Sequence, residues 1–278
     1  MLCDNTPIES YTLAGRKVWV KREDLSCSAP GPPFSKMRGV IEHIANRPEK
    51  VFGVLDTYHS KAGWAVAYAC KMLRRKCINF YPVYKGDDPK ILREPQRQSK
   101  SLGAALAPLP AGRSFILYNQ ARTKLKTLSP SAYLMPNALK LAESVEATAR
   151  EMQASAVKIR RVKPAHVVVS ISSGTIAAGV LVGLSRLHLP NLPEVWLHEG
   201  YNRPQTAVTA YLHKMAVGVA DWPVIHFVDE GYAYKDTAPK KCVAPFPCNP
   251  WYDLKAWAWL EKHVPELSGP VLFWNIGD

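Results

Sequence analysis

Long uninterrupted apolar runs are missing from the chain, and with them any stretch of membrane-spanning length. The start, Met1-Leu2-Cys3-Asp4-Asn5, shows no signal peptide, so the reading expects a cytoplasmic protein with no membrane partner. The six cysteines, Cys3, Cys27, Cys70, Cys77, Cys242 and Cys248, form no C-x-x-C pair and no C-x-x-C…H-x-x-x-H spacing. That argues for a reducing compartment and against structural zinc, and no metal site is expected. Internal repeats, low-complexity tracts and heptad runs are absent too. Acidic side chains are scarce: 23 Asp and Glu face 36 Lys and Arg, a net charge of +13 over 278 residues. The plain explanation of that surplus is solubility. The sharper one is a polyanionic partner such as nucleic acid, whose phosphates the basic side chains neutralise.

What is present is an ordinary globular composition, 47% hydrophobic and 21% charged, with length for one large domain or two modest ones. The hydrophobic pattern is α/β throughout. Residues 51–55 read as a buried parallel strand, 61–75 as a helix with Ala62, Ala65, Val66, Ala69 and Met72 on its apolar face, and 77–83 as the next strand, a βαβ unit. Residues 85–100 read as a charged turn and helix, and 103–109 and 133–135 as short strands. The stretch between those two is punctuated by Pro108, Pro110, Gly112 and Pro130. Residues 137–153 have helical periodicity. Residues 165–170 form a β-branched run that suits burial on both faces, leading to a helix over 176–187. Strands at 194–199 and 224–229 flank a helix near 206–216, and the chain ends in a helix over 252–263 and a buried strand over 271–274.

Two stretches carry chemistry. The first is Pro33-Phe34-Ser35-Lys36-Met37-Arg38-Gly39, which puts Lys36 at a loop-to-helix boundary behind two prolines and a phenylalanine. Desolvation lowers a lysine's pKa and frees its amine for Schiff-base chemistry. On a chain this rich in lysine, a solvated surface side chain is the competing reading. The second is Ile171-Ser172-Ser173-Gly174-Thr175, between a buried strand and a helix N-terminus. Backbone N–H groups, hydroxyls and the helix dipole together suit a phosphate, although no Gly-Lys-Ser/Thr follows to make a Walker A motif. A plain N-capped helix fits the same residues.

The ordered set of motifs resembles the fold-type-II pyridoxal-phosphate enzymes, the tryptophan-synthase-β superfamily, in its aminocyclopropane-carboxylate deaminase and D-cysteine desulfhydrase branch. Thr6-Pro7-Ile8 followed by Val18-Trp19-Val20-Lys21-Arg22-Glu23-Asp24 is similar to that group's opening, and Phe34-Ser35-Lys36-Met37-Arg38 to its Asn-Lys-x-Arg segment. His59-Ser60-Lys61 stands where the group has Gln-Ser-Asn. Trp251-Tyr252-Asp253-Leu254-Lys255-Ala256 and Val271-Leu272-Phe273-Trp274-Asn275-Ile276-Gly277 resemble its C-terminal motifs. The resemblance implies two open, twisted parallel-sheet domains with pyridoxal 5'-phosphate between them: a large cofactor-binding domain from residues 1–40 and 136–278, and a small one from 41–135. It makes Lys36 the Schiff-base lysine and proton carrier, with Ser172, Ser173, Gly174 and Thr175 at the phosphate. His59, Ser60 and Lys61 become the loop that holds the substrate carboxylate, Ser60 doubling as a secondary acid–base group or helix cap, and Tyr234 a catalytic tyrosine. Ile276 stands where desulfhydrases carry a threonine facing the pyridine nitrogen. Asn275, or an acid from residues 229–234, is the alternative partner.

Three functions follow. The resemblance favours a lyase or deaminase that generates a Cα carbanion on a free amino acid, with a homodimer expected. The basic runs at residues 71–76, 122–126 and 158–161 favour a second: decarboxylation or elimination on an amino acid attached to a DNA base, with the basic surface binding DNA. The chain's compactness is similar to that of phage-encoded relatives in DNA-base hypermodification. The third is a non-catalytic fold relative that binds a partner, which would leave Lys36 without a task.

Overall fold

A computed structural model describes residues 2–84, 86, 88, 91–110 and 112–277. The chain divides into two compact units. The first contains residues 1–28, 33–36 and 144–278, and the second residues 29–32 and 37–143. The chain thus passes between units at 28/29, 32/33, 36/37 and 143/144, where the resemblance implied 40/41 and 135/136. Among the described residues no helix is long and apolar enough to cross a membrane.

The first unit is built on a six-stranded sheet in the order β1-β2-β10-β7-β8-β9. Its strands are β1 (Ile8–Leu13), β2 (Arg16–Arg22), β7 (His166–Ile171), β8 (Glu194–Glu199), β9 (Ile225–Val228) and β10 (Val271–Asn275). All neighbours pair parallel except β1, which hairpins back on β2 through Ala14 and Gly15, both at positive φ. That edge strand was not legible in the sequence. Every residue of β7 is buried, as its β-branched run predicts, because helices cover both faces of the sheet. Helices α5 (Ala142–Ala154), α6 (Ala156–Val162), α7 (Thr175–Arg186) and α8 (Gln205–Met215) pack on one face through Val145, Met152, Ile159, Leu181 and Leu212. Helix α9 (Asp253–His263) covers the other with Trp257 and Leu260 against Val168 and Phe273. Lys21 is buried against Glu151 at 2.5 Å, and Glu151 also accepts the Thr6 N–H, which ties the chain's opening segment to α5.

The second unit has a four-stranded parallel sheet in the order β5-β4-β3-β6, from β3 (Val51–Leu55), β4 (Lys76–Val83), β5 (Ala105–Pro110) and β6 (Tyr133–Leu134). Helices α1 (Met37–Ala45), α2 (Ala62–Met72) and α3 (Glu94–Ser101) belong to it. So does α4 (Ser114–Leu128), which the proline-punctuated region concealed. Its prolines and Gly112 lie just outside the helix. Leu117, Ala121 and Leu125 repeat at helical spacing and bury against Leu55, Phe80 and Leu109. A fully buried leucine of this kind stabilises by roughly 1.5–3 kcal/mol. The charged turn expected from residue 85 lies partly outside the described residues, and its helix begins at Glu94. Helix α2 stops at Met72 rather than Arg75, two residues before Arg74 takes a left-handed φ of 54°.

Candidate active site

In open parallel sheets, ligands gather beyond the carboxyl ends of the strands. In the first unit those ends belong to the adjacent strands β10, β7 and β8, and the sequence-predicted cofactor residues of this unit converge there. The segment carrying Lys36 is pinned to the end of β10: Phe34 forms a bridge with Gly277, and the Ser35 N–H donates to the Ile276 carbonyl at 3.0 Å. Lys36 is buried, 9% exposed, with its Nζ donating to Ser173 Oγ at 3.0 Å and lying 6.0 Å from the Phe34 ring centre. It is not the solvated surface lysine of the competing reading. One hydrogen bond therefore joins the expected reactive lysine to the loop after β7.

That loop has the geometry of an anion cradle. Gly174 caps α7 at φ 83°, a left-handed conformation that only glycine adopts cheaply. Ser173 Oγ lies 2.9 Å from Thr175 Oγ1, and Thr175 Oγ1 lies 3.0 Å from the Tyr211 hydroxyl on α8. Both loop hydroxyls are buried. The N–H groups of the first helical turn, of which that of Thr175 meets Ser173 Oγ at 3.4 Å, the dipole and a shell of hydroxyls suit a phosphate. Ser172 faces a tyrosine group instead. The Tyr252 hydroxyl is hydrogen-bonded to both Ser172 and Tyr234. The Tyr201 ring stands edge-on to Tyr234 at 5.1 Å. Burial, and then the neighbouring Tyr234 phenol, push the Tyr252 phenol well above its usual value, against the Ser172 hydrogen bond.

Asn275 ends β10, fully buried. Its Nδ2 donates to Asp24 Oδ1 at 2.8 Å and to the Pro247 carbonyl at 2.9 Å. Arg22 forks onto the same Asp24 carboxylate at 2.9 and 2.7 Å. The Arg22-Glu23-Asp24 run of the opening motif thus fixes the orientation of Asn275. Its Oδ1 is buried with no hydrogen-bond partner among the described residues. An acceptor left in that state suits a ring N–H brought by a ligand. The acid expected among residues 229–234 is not available for the same task. Asp229 accepts the Gly231 N–H in an exposed turn, and Glu230 is paired with His198 and Lys262. A buried acid at these strand ends is Asp253, at the start of α9, whose Oδ1 accepts from Ser170 Oγ at 2.7 Å and from the Ile276 N–H at 3.3 Å. Burial raises its carboxyl to about 7 despite the Ser170 bond, and the Asp24 charge adds to the rise.

Tyr252, Asp253 and Tyr211 were not picked out from the sequence. The first two lay in view inside a quoted motif, but an acid opening a helix reads as a dipole-compensating residue. Tyr211 reaches Thr175 only because α8 packs beside α7. In the same motif Lys255 is fully buried, donates to the Gly200 carbonyl at 2.5 Å and faces the Tyr232 ring. Burial lowers its pKa to about 8, against the charges of Asp236 and Glu230.

The second unit carries the loop of His59, Ser60 and Lys61, beyond the carboxyl end of β3. Ser60 Oγ accepts the Ala62 N–H at 3.1 Å, the capping role open to it from sequence. His59 is buried with its ring edge-on to Tyr58, and Lys61 Nζ lies 5.7 Å from the Trp64 ring centre. The loop is anchored by Asp56, fully buried, which accepts from the Gly63 N–H at 2.6 Å, Asn79 at 2.9 Å and Gln96 at 3.1 Å. Burial lifts its carboxyl to about 6 against those hydrogen bonds.

Comparison with known proteins agrees with this chemistry. Over its whole length the chain is 49% identical, across 282 aligned residues, to the glycyl-dTMP PLP-dependent decarboxylase of Pseudomonas phage M6, all of which is covered. Among solved structures it superposes on an ACC deaminase homologue with a TM-score of 0.80 at 22% identity, covering 98% of this chain and 89% of the other. A hydrogen sulfide-producing enzyme of Fusobacterium nucleatum gives 0.70 at 15% identity, covering 100% and 95%. At those identities the structural likeness speaks for the fold alone. The family described as pyridoxal-phosphate dependent enzyme matches residues 2–236, and the chain belongs to that family, as an enzyme that uses pyridoxal phosphate.

Proposed function

We propose that this enzyme decarboxylates an amino acid joined to the thymine base of a nucleotide, in DNA. The observation that carries the reading is end-to-end identity of 49% with a phage enzyme named for decarboxylation of glycyl-dTMP. It reverses the order that motifs alone gave, in which a free amino acid came first. The partner-binding reading gives way, since Lys36 sits buried at a hydroxyl-lined cradle and the family is enzymatic.

When bound, pyridoxal phosphate supplies covalent attachment for the substrate amine and takes up the electron pair left at Cα. In the first unit, Ser173, Gly174 and Thr175 would hold the phosphate, and Tyr252 links Ser172 to Tyr234. Lys36 would be the attachment point, and its amine would carry a proton to Cα. Asn275 Oδ1 would accept from a ring N–H. In the second unit, His59, Ser60 and Lys61 would take the substrate carboxylate. Holding the carboxylate selects the Cα–carboxylate bond for cleavage, so carbon dioxide leaves and its place is filled by the proton.

Exposed basic side chains, among them Lys71, Arg74 and Lys76 of the second unit and Arg160 and Arg161 of the first, support contact with DNA phosphates. The test is carbon dioxide release and the mass of the amine product, with glycine-bearing thymidine monophosphate, DNA carrying the same base, and free amino acids as three substrates. Release from the thymine-linked substrates, with DNA binding falling by roughly 0.7–0.9 log units per log unit of salt for each phosphate contacted, is expected. Turnover of free amino acids alone overturns the reading.

A further inference from the structure

Two tyrosines and an arginine stand together at the carboxyl edge of the second unit's sheet, beside the Ser60 loop, and the chemistry above uses none of them. Tyr58 follows β3 and Tyr84 follows β4, with ring centres 5.6 Å apart and planes at 69°. Arg93 precedes α3, its guanidinium carbon 4.6 Å from the Tyr58 ring centre and 5.5 Å from that of Tyr84. All three side chains are partly exposed, so they are not core packing. Tyr58 and Arg93 are nevertheless tied in place. Asp56, two residues before Tyr58, binds Gln96, three residues after Arg93, so one buried carboxylate ties the tyrosine's loop to the first turn of α3. Ser60, two residues after Tyr58, is held by the Ala62 N–H. Preorganised aromatic and guanidinium surfaces cost little entropy on binding a flat ligand.

A free aliphatic amino acid offers such a surface nothing to stack on, whereas a nucleobase does. Bases taken out of the duplex for chemistry are recognised by stacking on aromatic side chains and guanidinium planes, with hydrogen bonds to their edges. We propose that Tyr58, Tyr84 and Arg93 form the platform on which the thymine ring of the substrate stacks, Tyr58 giving the ring face, Tyr84 bracing that ring at 69°, and Arg93 donating to a pyrimidine carbonyl oxygen. The proposal rests on the thymine-linked reading of the substrate and adds the residues that select it. Being two residues from Ser60, Tyr58 places base recognition next to carboxylate recognition, as a short linkage between base and amino acid requires.

The experiment compares the wild-type holoenzyme with Tyr58→Leu, Tyr58→Phe and Arg93→Met, reading the Kd of thymidine monophosphate by calorimetry and the kcat and KM of thymine-linked glycine. Stacking on one aromatic ring is worth enough that Tyr58→Leu should weaken the mononucleotide about tenfold or more. KM should rise in step while kcat changes little, and Tyr58→Phe should bind like wild type. A purely structural role would instead lower kcat and the melting temperature together and leave Kd unmoved, which overturns the platform. No binding of thymidine monophosphate by the wild type also overturns it. If the wild type turns over thymine-linked glycine but Tyr58→Leu and Arg93→Met keep its KM, the platform falls and the function stands. If it ignores that substrate yet binds the mononucleotide through Tyr58, the function falls and the platform stands.

Discussion

Gly277 and Pro33 meet backbone to backbone: a Cβ on Gly277 would lie 2.1 Å from the Pro33 carbonyl oxygen. The contact seats the segment before Lys36 on the end of β10, and Gly277 holds a φ of 140° there, so both space and conformation require glycine. Gly277→Ala should lower stability by roughly 2 kcal/mol or more and displace Lys36. The checks are a urea unfolding curve and the visible absorbance of the cofactor-loaded protein. An alanine variant that unfolds and absorbs like wild type would show that the segment moves freely.

Lys36→Ala should abolish turnover and the visible absorbance of the covalently held cofactor while leaving the fold intact. Its amine donates to Ser173 and lies near the Phe34 ring, contacts whose loss leaves the apolar core clusters of the first unit unbroken. Decarboxylation by the variant at the wild-type rate would place the attachment elsewhere.

How far the sequence disclosed this arrangement depends on the range of the interaction. Strands β3 and β7 were legible because burial forces apolar, β-branched runs that stand out locally. Strand β1 pairs antiparallel at the edge, where its burial alternates irregularly, and α4 is framed by prolines that read as loop although they lie outside the helix. The site divides in the same way. Lys36 and the Ser172–Thr175 loop were visible because a loop, a strand and a helix start signal themselves within a few residues. Asn275 was proposed, but its orientation depends on Asp24, 251 positions away, and no local pattern carries that. Asp253 was hidden by the chemistry it shares with any helix-opening acid. Only Ser170 and Ile276 closing around it show that it is buried.

Gly174→Val tests the cradle. The residue holds φ 83°, and a Cβ there would sit 3.0 Å from the Tyr211 ring. A branched side chain in a left-handed conformation costs roughly 1–2 kcal/mol, and it crowds the N–H groups that would meet the phosphate. Cofactor affinity should fall about tenfold or more, read by titrating the apoprotein with pyridoxal phosphate. Equal affinity would put the phosphate at another loop.

Asp253→Asn should flatten the pH dependence of stability. The folded carboxyl titrates at about 7, above its ordinary value of 3.8, so the folded state holds this proton more tightly than the unfolded chain does. The stability it contributes is therefore fully present below about 4 and is lost as pH rises through about 7, at a slope of at most about 1.4 kcal/mol per pH unit. Asparagine retains an oxygen to accept from Ser170 and from the Ile276 N–H but has no proton to lose. Asp56, lifted to about 6, acts with the same sign and is unchanged by the substitution, so it cancels in the comparison. Unfolding free energies of wild type and variant, measured by urea at steps between about pH 4 and pH 7, should separate with rising pH in favour of the variant. A difference that stays constant across that window would mean that Asp253 ionises in the folded protein as it does in the unfolded chain.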